Sequence, residues 1–158
     1  MSTAGRKFGH EEALQKIRAY CAYQERPHRD VLTKLYSYGL PKDTVDEITA
    51  QLVTEGFLNE ERFARTFSGG KFRMKKWGRI KIAHALEAKG LTPGCIRSGL
   101  SEIDPHDYRQ TLLDLLNGKA AQLTEPDPWV RNNKLATFAI QKGYEADLVW
   151  DIIKERLD

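Results

Sequence analysis

The sequence predicts an all-α protein built from three tandem three-helix repeats, and three observations favour this fold class. Apolar residues recur at steps of three and four through most of the chain, which is the period of a helix with one buried face. No stretch alternates apolar and polar side chains with period two, so no strand is expected. Gly39, Gly90 and Gly143 each follow an apolar helical pattern and stand 51 and 53 residues apart.

The even spacing of these glycines indicates an internal repeat of about fifty residues, which is typical of tandem helical modules. Alignment on the glycines brings apolar residues together at four positions. These sets are Val31, Ile82 and Leu135; Leu35, Leu86 and Ala139; Leu40, Leu91 and Tyr144; and Val45, Ile96 and Val149. Modules of this size bury few side chains alone, so we expect them to stack into an elongated, curved rod. The alternative is one irregular helical domain in which the glycine spacing is accidental.

The first unit is predicted over residues 10–57, after a short polar tail over residues 1–9 that we expect to be disordered. Pro27 is expected to close the first helix, because its ring clashes with a continuing helical backbone. Asp30 is expected to cap a second helix. Gly39 ends that helix, because glycine adopts the left-handed conformation of a helix stop at little cost.

The second unit is predicted over residues 58–103. Asn59 can accept free amides in the first turn of its first helix. Gly69 and Gly70 lie inside that helix, and each costs about 1 kcal/mol relative to Ala. We therefore expect the helix to bend, end or become mobile there. Thr92 precedes a proline and is a good first-turn residue for the third helix of this unit.

The third unit is predicted over residues 104–158. Asp104 is a good cap, Pro105 suits the first helical position, and Asp107 places an acid in the first turn. The helices that follow carry apolar stripes with the helical period. This part of the chain is mildly anionic, with ten acids against seven bases.

Positive charge is concentrated in the second unit. Between Arg62 and Lys89 the chain carries nine cations and a single acid, Glu87, with aromatic residues between them. A cationic face with aromatic contacts suits an anionic polymer, of which nucleic acid is the commonest. The candidate contact residues are Arg65, Lys71, Arg73, Lys75, Lys76, Arg79 and Lys81. Trp77 either stacks on a base or a partner side chain or fills the joint between modules, and the alternative for the whole stretch is a solvated helix face.

The sequence lacks the common signatures of catalytic and metal sites. It contains no GxxxxGK[ST], GxGxxG or GxSxG motif, so we do not expect an enzyme. Cys21 and Cys95 are isolated, no zinc-ligand spacing occurs, and we expect no cofactor. Two sparse thiols, no signal peptide and no long apolar run favour a cytoplasmic protein that does not enter the membrane.

Four short segments together carry a resemblance to a known family. They are residues 35–39 (LYSYG), 58–64 (LNEERFA), 78–81 (GRIK) and 86–91 (LEAKGL). In this order and spacing they resemble the RecX regulators of bacterial recombination, most clearly over residues 20–103. No single segment is unique to the family, so the resemblance depends on the whole set.

The resemblance implies tandem three-helix repeats and a non-enzymatic regulator. It further implies binding to the RecA–DNA filament, with modulation, usually inhibition, of the RecA recombinase in recombination and DNA repair. The basic region would then face RecA or the single- or double-stranded DNA of the filament, without sequence preference. We expect a monomer, since a rod that lies on a larger filament needs no self-association.

Two other functions are consistent with the same residues. The first is a stand-alone helix-turn-helix regulator that binds DNA directly, because the second and third helices of each unit are joined by a short glycine turn. The second is a protein-binding helical scaffold whose basic patch meets an acidic partner.

Overall fold

The computed structural model describes residues 8–157, and α-helices account for most of them, with no strand in this range. The helices are α1 (His10–Tyr23), α2 (His28–Ser37), α3 (Lys42–Thr54), α4 (Glu60–Lys75), α5 (Arg79–Ala88), α6 (Pro93–Leu100), α7 (Pro105–Gln122), α8 (Pro128–Gln141) and α9 (Ala146–Ile152), followed by a π-helical turn, Ile153–Leu157. The predicted all-α class is confirmed. We call α1–α3, α4–α6 and α7–α9 the first, second and third modules, and the bounds 10–57, 58–103 and 104–158 remain our proposed division.

The predicted repeat is visible as equivalent positions in the three modules. The second and third helices of each module meet at a glycine with positive φ, which is 81° at Gly39, 88° at Gly90 and 103° at Gly143. Residues with a Cβ atom disfavour this region of the backbone map. All the aligned apolar residues are buried except Ile96, which is half-buried. The repeat therefore reflects a shared packing scheme.

The three modules form two hydrophobic cores. The first core lies within the first module and extends from Ala13 to Leu58. The second core runs continuously through the second and third modules, from Phe63 to Ile153. The second and third modules therefore share one core, whereas the first module has a core of its own.

The second and third modules meet through direct backbone contact. Gly78 N–H donates to Lys142 O at 2.8 Å, and Ile80 N–H donates to Gly143 O at 2.9 Å. A Cβ on Gly78 would lie 2.2 Å from Gly143 C, and a Cβ on Gly143 would lie 2.4 Å from Lys81 Cβ. Two glycines thus allow the free amides at the start of α5 to bond to the α8–α9 turn.

The first and second modules meet with the same orientation but through side chains. Arg29, in the first turn of α2, donates from Nη1 to Ala88 O at 2.6 Å and lies beside Gly90. His28 N–H donates to Glu60 Oε1 at 2.9 Å. At both joints, therefore, the start of a module's second helix faces the first helix and the glycine turn of the next module.

Of the outcomes expected at Gly69 and Gly70, an end of the helix is wrong, because α4 runs unbroken over Glu60–Lys75. This helix packs closely along α6, and a Cβ on Gly99 would lie 2.7 Å from Ala64 O. Gly69 is buried. Burial along the whole helix therefore outweighs the modest propensity cost of two glycines.

The predicted caps at Asn59 and Asp104 are confirmed, whereas that of the first module is wrong, and Thr92, predicted in the first turn of α6, is its N-cap residue. Asn59, Thr92 and Asp104 accept backbone N–H groups from Arg62, Cys95 and Asp107. In the first module α1 ends at Tyr23, and Pro27 is instead the N-cap residue of α2. Asp30 lies in the first turn of α2 without capping it. Glu60 of the next module supplies an acceptor there instead, so the helix start needs no local cap.

Phe8 departs from the expected disordered tail. Its N–H donates to Tyr38 O at 3.1 Å, and the two rings meet edge to face with centroids 5.0 Å apart. This residue therefore belongs with the first core. Residues 1–7, which form most of the expected tail, lie outside the described residues.

Tyr108 connects the elements of the second joint. Its buried hydroxyl accepts from Arg79 N–H at 2.9 Å and donates to Glu145 Oε1. Its ring lies 5.8 Å from that of Phe72 and 5.0 Å from that of Tyr144. Burial, followed by the hydrogen bond to Glu145, raises the pKa of the Tyr108 hydroxyl, which therefore stays protonated.

We expect Tyr108→Phe to lower the free energy of unfolding by about 1–3 kcal/mol, because Arg79 N–H and Glu145 Oε1 lose the hydroxyl that bonds to them. Urea denaturation at neutral pH measures this change. Tyr36→Phe, at a residue that is 46% exposed, is the control and should change stability by less than about 0.5 kcal/mol. Equal effects of the two substitutions would contradict the role assigned to Tyr108.

The same contact predicts a dependence on alkaline pH. Because the folded pKa of Tyr108 is raised, its contribution to stability is complete below about pH 10 and is lost as the pH rises further. Tyr108→Phe should remove this part of the alkaline destabilisation, which a series of urea titrations between neutral and alkaline pH would reveal.

Candidate nucleic-acid interface

The predicted contact residues lie along α4, in the turn after it and in the first turn of α5, so most of them border the second joint. Lys76 ends α4 in the left-handed conformation, with φ 58° and ψ 35°. The Tyr144 hydroxyl donates to Lys76 O at 2.9 Å, and Lys142 Nζ donates to Lys75 O at 3.4 Å. The third module thus holds the cationic turn of the second.

Five of the seven predicted contact residues have no acidic partner among the described residues. They are Lys71, Arg73, Lys75, Lys76 and Lys81. Lys71 is half-buried and the other four are exposed. Their charges are therefore available to an external anion, since no internal carboxylate competes for them.

The other two predicted contact residues are engaged within the protein. The Arg79 guanidinium lies 3.8 Å from the Tyr108 ring centroid, and its Nη1 donates to Glu145 Oε2 at 3.0 Å. Arg65 Nη1 donates to Glu61 Oε1 at 2.9 Å, four residues earlier on the same helix. We therefore assign Arg79 to the second joint and Arg65 to the surface of α4, outside the set of available cations.

Trp77 lies between two lysines at the edge of the second core. Its ring centroid is 5.0 Å from Lys71 Nζ and 4.7 Å from Lys81 Nζ. Phe67 extends the arrangement, because Lys71 Nζ lies 5.5 Å and Lys89 Nζ 5.6 Å from its ring centroid. Trp77 also packs on the core, so it fills the joint and presents an aromatic face to cations at the same time. We call these five residues the second-module surface.

Lys89 and Lys142 also lie in this basic region, although neither was predicted from the sequence as a contact residue. Lys142 follows α8 and reaches the cationic turn only because the third module packs against it. The alignment of repeats offered one indication, since Lys89 and Lys142 both stand immediately before the glycine that ends the second helix. Packing between modules thus enlarges the basic region beyond the continuous basic stretch.

The described part of the chain offers fixed positive charge beside aromatic faces. Between residues 8 and 157, no group of three His, Cys, Asp or Glu side chains could hold a metal ion. No helix in this range is long and apolar enough to cross a membrane. The chemistry that this arrangement supports is the binding of a polyanion, through charge and stacking.

Comparison with known families and proteins gives consistent matches. A family model described as RecX, second three-helix domain, matches residues 59–100, which contain α4, α5 and α6. The Regulatory protein RecX of Clostridium botulinum (strain Eklund 17B / Type B) is 30% identical over 135 residues, which are 84% of this chain and 63% of the relative. The protein of the same name from Prosthecochloris aestuarii is 25% identical over 92% of this chain and 94% of its own length. The chain thus spans less than two thirds of the clostridial relative.

Solved structures share the fold. The crystal structure of RecX from Lactobacillus salivarius has a TM-score of 0.86 at 20% sequence identity, and the match covers 92% of this chain and 95% of that one. A second crystal structure, of regulatory protein RecX, has a TM-score of 0.80 at 20% identity over 92% of this chain and 72% of the other. The order and packing of the helices are therefore common to these proteins.

Arg79 and Lys81 provide a direct test of which cations are structural. We expect Arg79→Gln to lower the free energy of unfolding by about 1–3 kcal/mol, because it removes a charged hydrogen bond and a stacked guanidinium from the joint. Lys81→Gln loses the same charge at an exposed site and should change stability by less than about 0.5 kcal/mol. Urea denaturation of the two variants at one salt concentration measures the difference, and the reverse order would contradict the assignment.

Lys76 is the one non-glycine residue with positive φ between residues 8 and 157. We expect Lys76→Gly to raise the free energy of unfolding by up to about 1 kcal/mol, because glycine avoids the clash of a Cβ in this conformation. Lys75→Gly is the matched control, since it loses the same charge from a helical position and should lower stability by about 1 kcal/mol. Thermal unfolding of both variants shows whether the two changes have opposite signs.

Proposed function

We propose that this chain, which belongs to the RecX family of regulatory proteins, binds the RecA–DNA filament and inhibits the RecA recombinase. The names of the relatives support a regulatory role. The family resemblance implies that RecA is the target and that the effect is inhibition. Both are part of the proposal.

The observation that carries the proposal is the set of five cations that have no acidic partner within residues 8–157. In the sequence around them, Glu87 is the single acid between Arg62 and Lys89. Each DNA phosphate that a lysine or arginine neutralises releases condensed counterions, so such a surface binds a polyanion strongly at low salt and weakly at high salt. A filament presents a regular series of phosphates and repeated protein surfaces to this region.

The construction of the second joint supports a mechanism based on bridging. The shared core and the backbone contact between Gly78 and Gly143 keep the second and third modules at a fixed separation. Two surfaces held at a fixed separation gain avidity when they engage neighbouring protomers of one filament. A bridge of this kind opposes further growth of the filament and covers surfaces that other partners of RecA need.

This mechanism requires binding and no chemical step, so a regulator of this kind acts without a catalytic group or cofactor. It also requires no self-association, because the filament supplies the repeated sites. We accordingly propose a monomer that acts in the cytoplasm, where the recombinase and its DNA are found.

The stand-alone helix-turn-helix function has weaker support. A recognition helix must present several free side chains to base edges. In the second module that helix would be α6, which has eight residues and packs against α4 through Gly99. The hydroxyl of Ser98, also on α6, is bonded to Glu61. Few groups therefore remain for reading a DNA sequence.

We expect the triple substitution of Lys75, Lys76 and Lys81 by Gln to raise the concentration needed for half-inhibition of RecA ATP hydrolysis at least about tenfold, since up to three phosphate contacts are lost. The assay uses filaments formed in advance on single-stranded DNA. The control replaces Lys42, Lys134 and Lys154 by Gln, which removes the same charge from other surfaces and should leave inhibition nearly unchanged.

The salt dependence provides a second measure in the same assay. Inhibition by the unaltered protein should weaken as salt rises, and the triple variant should show a shallower dependence. Failure of the unaltered protein to affect RecA at stoichiometric ratios would overturn the proposed function. Equal loss in the triple variant and its control would remove the cationic turn from the mechanism.

A further inference from the structure

The first module carries a second surface that combines cations and aromatic rings. Lys16, Tyr20, Tyr23, Arg26 and Lys34 line an open groove of about 530 Å³ between α1 and α2, and we call them the first-module surface. The Tyr23 side chain is 82% exposed, so its ring is accessible to an external ligand. Among residues 8–157, no acidic side chain lines this groove.

The cations of the first-module surface are arranged around Tyr20. The Arg26 guanidinium lies 3.7 Å from the Tyr20 ring centroid and 6.0 Å from that of Tyr23, and Lys34 Nζ lies 5.4 Å from Tyr20. Arg26 Nε donates to Tyr20 O at 3.0 Å, which fixes the guanidinium over the ring. Within residues 8–157, no acid forms an ion pair with Lys16, Arg26 or Lys34.

The repeat relates this surface to that of the second module. A residue of the first module is equivalent to the residue 51 positions later in the second module. At four pairs of equivalent positions, one module has an aromatic residue and the other has a cation. The pairs are Lys16 and Phe67, Tyr20 and Lys71, Arg26 and Trp77, and Tyr38 and Lys89. The contact between Arg26 and Tyr20 thus corresponds to that between Trp77 and Lys71. Both versions place positive charge beside an aromatic face.

The two surfaces approach each other across the first joint. Arg29, which lines the groove next to Tyr20 and Lys34, donates to Ala88 O, and Ala88 is adjacent to Lys89 of the second-module surface. Acids lie at this boundary as well, since Asp30 lines the same neighbouring groove, Glu60 accepts from His28 N–H and Glu25 pairs with Arg62. Cations and aromatic rings lie on both sides of the first joint, and two of the acids there, Glu25 and Glu60, are already bonded within the protein.

We propose that the first-module surface binds single-stranded nucleic acid, with a base stacked on Tyr23 and phosphates bound by Lys16, Arg26 and Lys34. Exposed aromatic rings stack on bases that are not already paired, so a single strand fits this surface better than a duplex. The strand continues across the first joint to the second-module surface. The proposal deepens the proposed function by naming the strand that is bound, but binding to a free strand is measured without RecA.

The test measures the fluorescence anisotropy of an oligothymidylate labelled with fluorescein during titration with the full chain. Tyr23→Ala should raise the Kd at least about fivefold with an unchanged salt dependence, because it removes a stacking face and no charge. Tyr23→Phe should restore most of the affinity. Tyr36→Ala, at an exposed tyrosine that does not line this groove, should bind as the unaltered protein does.

Lys16→Gln combined with Lys34→Gln provides the electrostatic part of the test. This variant should weaken binding and reduce the dependence of log Kd on log salt by up to about two phosphate contacts. Both lysines are exposed, so circular dichroism and thermal melting should match those of the unaltered protein.

Three results would overturn the proposal. The first is an unchanged Kd in both the Tyr23→Ala and the double lysine variants. The second is an equal effect of Tyr23→Ala on single strands and on a duplex of matched length, since stacking requires unpaired bases. The third is weaker inhibition of RecA by Tyr23→Ala without any loss of affinity for the free strand, which would assign the surface to a protein partner. The proposed function fails separately, in the RecA titration of the unaltered protein.

Discussion

The close backbone approach of Gly78 and Gly143 is the constraint on which the middle of the molecule depends. Neither position leaves room for a Cβ, and the amides of Gly78 and Ile80 bond directly to the turn of the third module. This approach allows the second and third modules to share one core. It also brings Tyr144 against Lys76 O and so fixes the cationic turn. A side chain at either glycine would separate the modules, and the core and the basic surface would change together.

Much of the fold follows from local chemistry in the sequence. Glycine stops, proline positions and the caps at Asn59, Thr92 and Asp104 act over a few residues, so they determine helix bounds without knowledge of the fold. Two of the misjudged features depend on contacts that are distant in the chain. Burial against α6 keeps α4 intact at Gly69 and Gly70, and a carboxylate of the second module takes the place expected for Asp30 as the acceptor at the start of α2.

In the candidate site, too, some features follow from the local sequence and others from contacts between residues far apart in the chain. Composition alone identifies the basic stretch, and five of the seven predicted cations have no acidic partner within residues 8–157. Charge counting could not identify Arg79 as a structural residue, because its partner Glu145 lies 66 positions away. It also could not add Lys142, which reaches the cationic turn through tertiary packing. Sequence composition thus predicts the sign and region of the charge, whereas packing decides which cations are available.

The joints also make the first two modules depend on the module that follows each of them in the chain. The starts of α2 and α5 have no side-chain cap of their own, and their first amides are bonded by Glu60 and Tyr108 of the following module. The start of α8 is capped by its own neighbour, Asp127. Each of the first two modules therefore depends on residues that leave the ribosome after it. During synthesis these two helix starts bond to water at first, and they gain their native acceptors only when the next module has folded against them.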